Sequence, residues 1–439
     1  MQAHAKESIC KETFAKLCNK IQYFGSNSSL HGVGYVCSLS FIPFFKRIFW
    51  LSILILCCLG ASSVLQGALG LYSGDLVSYS VETDYLKWET PFPAVTVCEN
   101  YDAVRMKSVL TREKLSTNLA MFVKETCFYS VSYCGRLCST CKPGSCMADF
   151  QQLTHKLRLN CSQLLTDCSW GGENFYCCDR FLPLETEYGT CYTFNSQLTS
   201  KDKQLLKISR RAGLPDLLFA TPYSVLLRLH APDEAVSASM DNVLGRVNSL
   251  LTQPTDFEAI IKAEQTVSDV SMRSVEQSLR GCLYHHERPA FAHLWPFTDY
   301  TYSTCIYYCR AIEQMELCNC THHFMPKLKG VATCDIHGMF CLYENSKELL
   351  TVDCKCPMGC EEILYKVTHI FNGQRDKKQG SRVRVRFVQQ PSLRVRRQTI
   401  RGVLGLVVDI GGVGGVFFGA SLLSVVEIVY LLCIRRGST

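Results

Sequence analysis

Two long apolar stretches lie near the ends of the chain and flank a mostly polar central part. Residues 48–71 carry no charged side chain over 24 positions, and a membrane-spanning helix needs about 20 apolar residues. Residues 402–432 are also apolar but include two carboxylates, Asp409 and Glu427. The pattern therefore predicts two transmembrane helices, at residues 48–71 and 403–434.

The second apolar stretch has features that a simple membrane anchor does not need. Seven glycines lie between Gly402 and Gly419, and Gly411, Gly415 and Gly419 form two GxxxG steps, a spacing that lets helices approach closely in lipid. A carboxylate inside the bilayer costs roughly 2.5 to 3.5 kcal/mol, so such groups usually face a helix bundle or water. Two interpretations stay open for this segment alone: a glycine-rich anchoring or dimerising helix, and a pore-lining helix.

The distribution of basic residues predicts the orientation in the membrane. Residues 1–47 hold six Lys or Arg against two Glu, and Arg435-Arg436 follow the second stretch. Basic residues are enriched on the cytoplasmic side, so residues 1–47 and 435–439 are predicted to be cytoplasmic and residues 72–402 extracellular. A cleaved signal peptide is not expected, because 47 mostly polar residues precede the first stretch.

Hydrophobic periodicity in the central part mixes strands and helices. Residues 77–97 and 223–230 are rich in Val, Thr and aromatic residues and are predicted to be strands. Residues 304–317 have a helical period that places Cys305 and Cys309 one turn apart on one face. Their disulfide partners should lie on one neighbouring element, and Cys354 with Cys356 fit that requirement. The central part is therefore expected to be an α+β domain.

The cysteine content indicates an extracellular domain held by disulfides. Of 27 cysteines, 21 lie between Cys98 and Cys360, a density typical of an oxidising compartment. The odd number leaves at least one thiol free or paired between chains. Zinc binding by close cysteine pairs is the weaker alternative. Asn160 and Asn319 stand in glycosylation sequons, each with a cysteine in the middle position.

A basic segment precedes the second span. Residues 382–388 alternate arginine with apolar residues, which is typical of a half-buried strand. Nine Lys or Arg and no acidic residue lie between Lys377 and Val408. Three interpretations are open: a solvated strand face, a site for anionic lipid headgroups, and a protease recognition site at residues 394–397. Basic residues and aromatics are not interleaved on a soluble domain, so no nucleic-acid partner is expected.

Four motifs resemble one family of membrane proteins. They are FPAVTVC (Phe92 to Cys98), His31-Gly32, ETEYGTCYTFN (Glu185 to Asn195) and the DIGG, GAS and VE groups between Asp409 and Glu427. In this order they resemble the epithelial sodium channel/degenerin superfamily. The runs YSTCIYYC, ELCNCTHHFMP and CCDRF are similar to its arthropod pickpocket branch.

The resemblance implies a membrane protein with two transmembrane helices that flank a large disulfide-rich α+β ectodomain, assembled as a trimeric channel. The ectodomain would contain a β-sheet palm, a cysteine-rich finger insert at about residues 127–178 and a thumb at about residues 282–360. It also implies seven disulfides: Cys98–Cys191, Cys168–Cys177, Cys282–Cys360, Cys305–Cys356, Cys309–Cys354, Cys318–Cys341 and Cys320–Cys334. Cys178 is the alternative partner of Cys168, and the pairing of the remaining cysteines is open.

The resemblance also assigns roles along the predicted pore. Gly419, Ala420 and Ser421 would form the selectivity filter, and His31-Gly32 would lie in a segment that folds back under the pore and affects gating. Asp409 would lie at the outer mouth and Glu427 below the filter. Val408 departs from the family pattern, which usually has a small residue before this aspartate, so a leaky channel or a rotated helix is expected.

The function implied is a subunit of an amiloride-sensitive, sodium-preferring cation channel of the plasma membrane, with two spans and cytoplasmic termini. Its expected partners are related subunits in a homo- or hetero-trimer, sodium ions, amiloride-like blockers and membrane lipid, with no cofactor or metal. The alternatives are a non-conducting auxiliary or receptor subunit and a trimeric channel of the ATP-gated type. An enzyme is not expected, because no nucleophile with a base and no phosphate loop is present. The gating stimulus is left open.

Overall fold

A computed structural model describes most of the chain in two compact units. It covers residues 22, 23, 25, 27–37, 44–73, 77–113, 124–130, 133–134, 149–199, 204–252, 254–376, 379–399 and 403–430. The helical unit combines Met1–Ser78, Asp269–Arg280 and Gln398–Thr439. The sheet unit combines Tyr79–Ser268 and Gly281–Arg397.

The α-helices are short except for three. They are α1 (Val33–Cys37), α2 (Phe44–Ser73), α3 (Ala103–Arg112), α4 (Phe150–Leu157), α5 (Cys161–Leu164), α6 (Cys177–Arg180), α7 (Gly245–Asn248), α8 (Gln277–Arg280), α9 (Tyr302–Cys318), α10 (Ile336–Glu344), α11 (Ser346–Leu350), α12 (Val403–Phe418) and α13 (Leu422–Val429). Tyr85–Lys87 and Val270–Ser274 are 3₁₀ helices.

Most strands belong to two sheets. They are β1 (Val77–Glu82), β2 (Thr90–Pro91), β3 (Ala94–Glu99), β4 (Thr166–Trp170), β5 (Glu173–Phe175), β6 (Phe181–Thr186), β7 (Gly189–Phe194), β8 (Lys207–Ile208), β9 (Leu217–Thr221), β10 (Val225–His230), β11 (Leu250–Leu251), β12 (Thr255–Ser268), β13 (Cys282–Leu283), β14 (Cys320–Thr321), β15 (Ala332–Thr333), β16 (Met358–Gly359), β17 (Glu362–Gln374), β18 (Ser381–Phe387) and β19 (Arg394–Thr399).

The apolar stretches form helices of different kinds. In α2, Phe44–Gly70 is long and apolar enough to cross a membrane, with a mean hydropathy of 2.4. The second stretch consists of α12 and α13, which meet at a bend of 79° and reach the length of a span only as a pair. The single helix predicted at 403–434 is therefore broken within the described residues.

The larger sheet is organised around β12, with the order β1-β19-β12-β18-β9-β4-β5. β18 and β19 follow each other along one edge of β12, both parallel to it. β17 pairs antiparallel with the opposite edge. The second sheet has the order β11-β10-β3-β7-β6. The largest hydrophobic core of the sheet unit combines residues of both sheets. At its centre the Phe92 ring centroid lies 4.6 Å from that of Trp170 and 5.8 Å from that of Phe387.

The predicted strand at 77–97 is interrupted. It forms β1, a 3₁₀ turn, β2 and β3 instead of one strand. Pro91 and Pro93 explain the break between β2 and β3, because proline cannot donate a ladder hydrogen bond. The predicted helix at 304–317 is confirmed as α9, which begins at a capping box formed by Thr301 and Thr304.

The alternating arginine segment is confirmed as the half-buried strand β18. Its apolar residues Val383, Val385 and Phe387 are buried in the core. Its arginines face outward and pair with carboxylates, Arg382 with Asp256 at 2.5 Å, Arg384 with Asp216 at 3.3 Å and Arg386 with Glu258 at 2.5 Å. Three of the nine basic residues of this segment are thus paired with carboxylates, two from β12 and one from Asp216 just before β9.

The segment weighed as a protease site forms the inner strand β19. It lies between β1 and β12 in the sheet, Arg396 pairs with Glu82, and Arg397 donates to the Gly359 carbonyl at 3.0 Å. A protease needs a free extended backbone, so the paired strand does not present this recognition site.

Eight complete disulfides lie within the described residues. Seven are the pairs named above. The eighth, Cys161–Cys178, resolves the choice left open for Cys168. The close cysteine pairs Cys318/Cys320 and Cys354/Cys356 were possible zinc ligands. All four of these cysteines form disulfides, so none of them is available as a thiolate ligand. Cys134 is also disulfide-bonded, whereas Cys127 is a buried free thiol.

Candidate pore and gating site

The break between α12 and α13 is built by the residues Gly419, Ala420 and Ser421. Gly419 has a positive φ of 63°, a conformation that only glycine adopts without strain. Ser421 then restarts the helix: its hydroxyl accepts the Ser424 N–H, and its own N–H donates to the Ser424 hydroxyl. A glycine that ends one helix two residues before a serine that caps the next therefore produces the 79° bend.

His31 contacts this break directly. Its backbone N–H donates to the Phe418 carbonyl at 3.1 Å, a group that no longer has a partner in the next helical turn. Its imidazole lies so close to Gly419 that a Cβ there would overlap the ring. The predicted gating motif and the predicted filter are thus in contact within the helical unit.

Gly32 allows the backbone next to His31 to pack closely against helix α2. Its φ is 86°, and an added Cβ would lie 3.3 Å from the Leu54 side chain and 3.5 Å from Trp50. Tyr35 stacks on Trp50 with ring centroids 4.8 Å apart. These contacts fix α1 against α2 and hold His31 at the break.

A polar cluster continues from the break into α13. The Ser29 hydroxyl lies 3.1 Å from the Ser424 hydroxyl, and the Ser29 N–H donates to Glu427 Oε2 at 3.4 Å. Ser421 and Ser424 share a hydroxyl hydrogen bond at 3.3 Å. Hydroxyl and carboxylate oxygens are the ligands that hard cations prefer. Sequence reasoning missed Ser29 and Ser424, although Ser424 stands three residues after a helix-capping serine.

The other predicted pore residues lie away from this cluster. Val408 and Asp409 are in the second turn of α12, and Asp409 precedes Gly419 by ten residues, which corresponds to about 15 Å of helix. Val408 is 63% exposed within the chain. The structure therefore unites His31, Gly32, the filter residues and Glu427, and leaves Val408 and Asp409 near the opposite end of α12.

Close packing of α12 on α2 occurs at an unpredicted glycine. A Cβ on Gly60 would lie 2.6 Å from the Phe417 ring. The absence of a side chain at Gly60 therefore leaves room for Phe417, which lies two residues before Gly419. At Gly411, the first residue of the GxxxG series, an added Cβ would meet nothing within 4 Å in the described chain. Within the described chain the GxxxG series is therefore open at Gly411, whereas His31 covers it at Gly419.

The predicted glycosylation sites are both exposed at helix ends. Asn160 caps α5, where its Oδ1 accepts the Gln163 N–H at 3.0 Å. Asn319 ends α9 in the left-handed conformation with φ 54°. Both side chains are accessible for modification.

A carboxylate cluster in the sheet unit was not expected from the sequence. Asp233 lies 3.9 Å from His285, and Glu234 accepts the Ala231 N–H at 2.9 Å. Burial, together with the nearby charges of Asp233 and Glu362, raises the pKa of Glu234 to about 7. Burial also raises the pKa values of Asp233 and Glu362.

Replacing Glu234 by glutamine should stabilise the protein at alkaline pH. A raised carboxyl pKa contributes stability that is complete below pH ~4.5 and is lost as the pH rises through about 7. Glutamine keeps an acceptor for Ala231 and never ionises. We expect a gain of ~1 kcal/mol or more in the free energy of unfolding at pH 8, since one pKa unit corresponds to ~1.4 kcal/mol, and no gain at pH 4.5.

Thermal unfolding of the detergent-solubilised protein at both pH values measures this effect. Glu348→Gln is the matched control, because Glu348 is exposed on α11. An equal gain for Glu234→Gln at pH 4.5 and pH 8 would show that ionisation of Glu234 is not the cause.

Comparison with known proteins places these features in a family. The chain matches the family model described as amiloride-sensitive sodium channel over residues 24–431. The sodium channel protein Nach of Drosophila virilis is 26% identical over 310 residues, which cover 64% of this chain and 78% of that protein.

Two further relatives differ in coverage. Pickpocket protein 19 of Drosophila melanogaster is 22% identical over an alignment of 480 residues, covering 95% of this chain and 90% of the relative. The human bile acid-sensitive ion channel is 27% identical over 302 residues, covering 62% of this chain and 58% of the relative.

Proposed function

This chain belongs to the amiloride-sensitive sodium channel family, and from that premise we propose that it is a subunit of a sodium-preferring cation channel of the plasma membrane, blocked by amiloride-like cations. The observation that carries the proposal is the contact of His31 with Phe418 and Gly419 at the helix break. A simple membrane anchor requires only a continuous apolar helix. A span that is broken at Gly419, with a segment from the other end of the chain packed at the break, is therefore better explained by a pore.

The proposed topology has two spans, at residues 48–71 and 403–434, with both termini in the cytoplasm and residues 72–402 outside. The long apolar helix α2 supports the first span. The disulfides of the sheet unit support its extracellular location, since such bonds persist in oxidising compartments. The assembly is a trimer, of one subunit type or of related subunits, and Asn160 and Asn319 carry glycans.

The filter is proposed to act through the unwound backbone at Gly419 and Ala420. Irregular backbone at membrane depth is tolerated where it lines water, and carbonyl oxygens there replace part of the hydration shell of a cation. Ser421 and Ser424 fix the direction of these carbonyls through the capping box. Asp409 would attract cations at the outer mouth, beside Val408, and Glu427 below the filter.

The open edge of α12 is compatible with this assembly. Val416 is 82% exposed and Leu404 77% exposed in the single chain, and an added Cβ at Gly411 or at its neighbour Gly412 would meet nothing within 4 Å in the described chain. In a trimer, small residues allow α12 helices to approach one another around the pore.

Replacing Ser421 by alanine should change the preference for sodium over potassium. The substitution removes the N-cap hydroxyl, which costs about 1 kcal/mol at a helix start, and so frees the carbonyls of Gly419 and Ala420 from their fixed direction. We expect the reversal potential under opposed sodium and potassium gradients to shift towards that of potassium. Ser52→Ala in α2 is the control, since within the described residues its hydroxyl donates to the Ile48 carbonyl of the same helix and to no other group.

Whole-cell recording of the two variants tests the filter assignment. A reversal potential that is the same for Ser421→Ala, Ser52→Ala and the unaltered chain would remove Ser421 from the filter.

A further inference from the structure

The segment between β12 and Cys282 belongs to the helical unit and not to the sheet unit. This linker, Asp269–Arg280, consists of the 3₁₀ helix Val270–Ser274 and helix α8. Inside the helical unit the Ser271 hydroxyl accepts the Thr399 N–H at 3.4 Å. The Ser78 hydroxyl donates to the neighbouring Gln398 carbonyl, also at 3.4 Å.

These contacts place the linker close to the ends of both apolar helices. Thr399 precedes the first residue of α12 by four residues, and Ser78 follows the last residue of α2 by five. An extended chain covers at most ~3.6 Å per residue, so the contacts lie within about 14 Å and 18 Å of the helix ends. The linker therefore contacts the chain four residues before α12, next to the Ser78–Gln398 pair that joins the segments after α2 and before α12, on the extracellular side in the proposed topology.

The linker presents two apolar side chains to the outside. Val270 is 77% exposed and Leu279 is 43% exposed, whereas Met272 between them in the chain is fully buried. The buried methionine shows that the linker has an inner face, so Val270 and Leu279 belong to its outer face. The N-cap Asp269, which accepts the Ser271 N–H at 2.9 Å, fixes the start of the 3₁₀ turn. Burial of a valine or leucine side chain is worth about 1.5 to 3 kcal/mol.

We propose that Val270 and Leu279 contact the phospholipids of the outer leaflet at the boundary of headgroups and acyl chains. The contact ties the end of the central strand β12 to the membrane surface, just before the disulfide Cys282–Cys360. This inference rests on the proposed two-span topology and is independent of ion conduction.

Site-specific photocrosslinking in cells tests the lipid contact. The photoreactive residue p-benzoylphenylalanine replaces Val270 or Leu279 in the full-length chain, in cells whose phospholipids carry an alkyne-labelled fatty acid. After irradiation the purified chain is coupled to a fluorophore and separated by mass. We expect light-dependent lipid label on the monomer at both positions.

Two controls make the result decisive. The first is Leu59 in α2, which is 61% exposed and should be labelled by lipid if α2 spans the bilayer. The second is Val247 in the sheet unit, which is 86% exposed and would be labelled only if exposure alone were enough for labelling. Lipid label at Leu59, Val270 and Leu279 but not at Val247 supports the proposal.

Three other outcomes overturn it. A crosslink of Val270 or Leu279 to a second protein chain means that a neighbouring subunit covers the linker. Label at Leu59 without label at the linker rejects the lipid contact and leaves the two-span topology standing. Absence of label at Leu59 as well rejects the topology on which the inference rests.

Discussion

Replacing Gly419 by alanine is expected to reduce the current at least about tenfold while the chain still reaches the cell surface. Gly419 has a φ of 63°, which costs a non-glycine residue roughly 1 to 2 kcal/mol, and such a cost changes a population about 5- to 30-fold. The added Cβ would also overlap the His31 ring. Both effects disfavour the bent conformation that we propose to conduct.

The experiment compares currents per surface-labelled subunit. Gly412→Ala is the matched control, because an added Cβ there meets nothing within 4 Å in the described chain. The double variant His31→Ala, Gly419→Ala removes the overlap but not the backbone cost, so we expect it to recover part of the current. A Gly419→Ala channel with normal current would contradict the role of the His31 contact.

Replacing Arg310 by methionine is expected to give the largest loss of stability. Arg310 Nε lies 2.7 Å from Glu187 Oε1, and the side chains are only 8% and 1% exposed. Glu187 also accepts the Ser237 hydroxyl at 2.8 Å, and Arg310 donates to the Leu349 carbonyl at 3.2 Å. Removing one partner of a buried ion pair costs about 3 to 5 kcal/mol, because the other charge is left unpaired.

The melting temperature and the surface abundance of the variant measure this cost. In a domain of this size ~4 kcal/mol lowers the melting temperature by roughly 10 °C. The double variant Glu187→Gln, Arg310→Met should recover much of the loss. Lys207→Met is the control, since its pair with Glu89 is about half exposed on both sides and such pairs contribute at most about 1 kcal/mol. A similar fall in melting temperature for Arg310→Met and Lys207→Met would contradict the account.

Strict local periods made several elements predictable. The alternation of arginine with Val383, Val385 and Phe387 predicts β18 because side chains in a strand alternate between two faces. The four-residue step from Cys305 to Cys309 predicts one helical face, and both sulfurs bond to the segment at Cys354 and Cys356. In each case one short window of sequence contains the whole signal.

The features that were missed depend on contacts between distant positions. The break at Gly419 has a local signal, but the Ser29 contacts with Ser424 and Glu427 join positions almost 400 residues apart. The carboxylates Asp233 and Glu362 approach each other only because β10 and β17 are brought together in the fold. The carboxylate partners of the β18 arginines come from β12 and from Asp216 just before β9, so the basic segment looked unopposed in the sequence.

The most direct test of the central claim is the current carried by the unaltered chain. Expressed in oocytes alone, or with pickpocket-type subunits, and confirmed at the surface by labelling, it should give an inward current blocked by amiloride. The reversal potential should follow the sodium gradient when potassium replaces external sodium. Surface expression without any such current under either condition, or a reversal potential indifferent to sodium, would contradict the proposal that this chain forms a sodium-preferring pore.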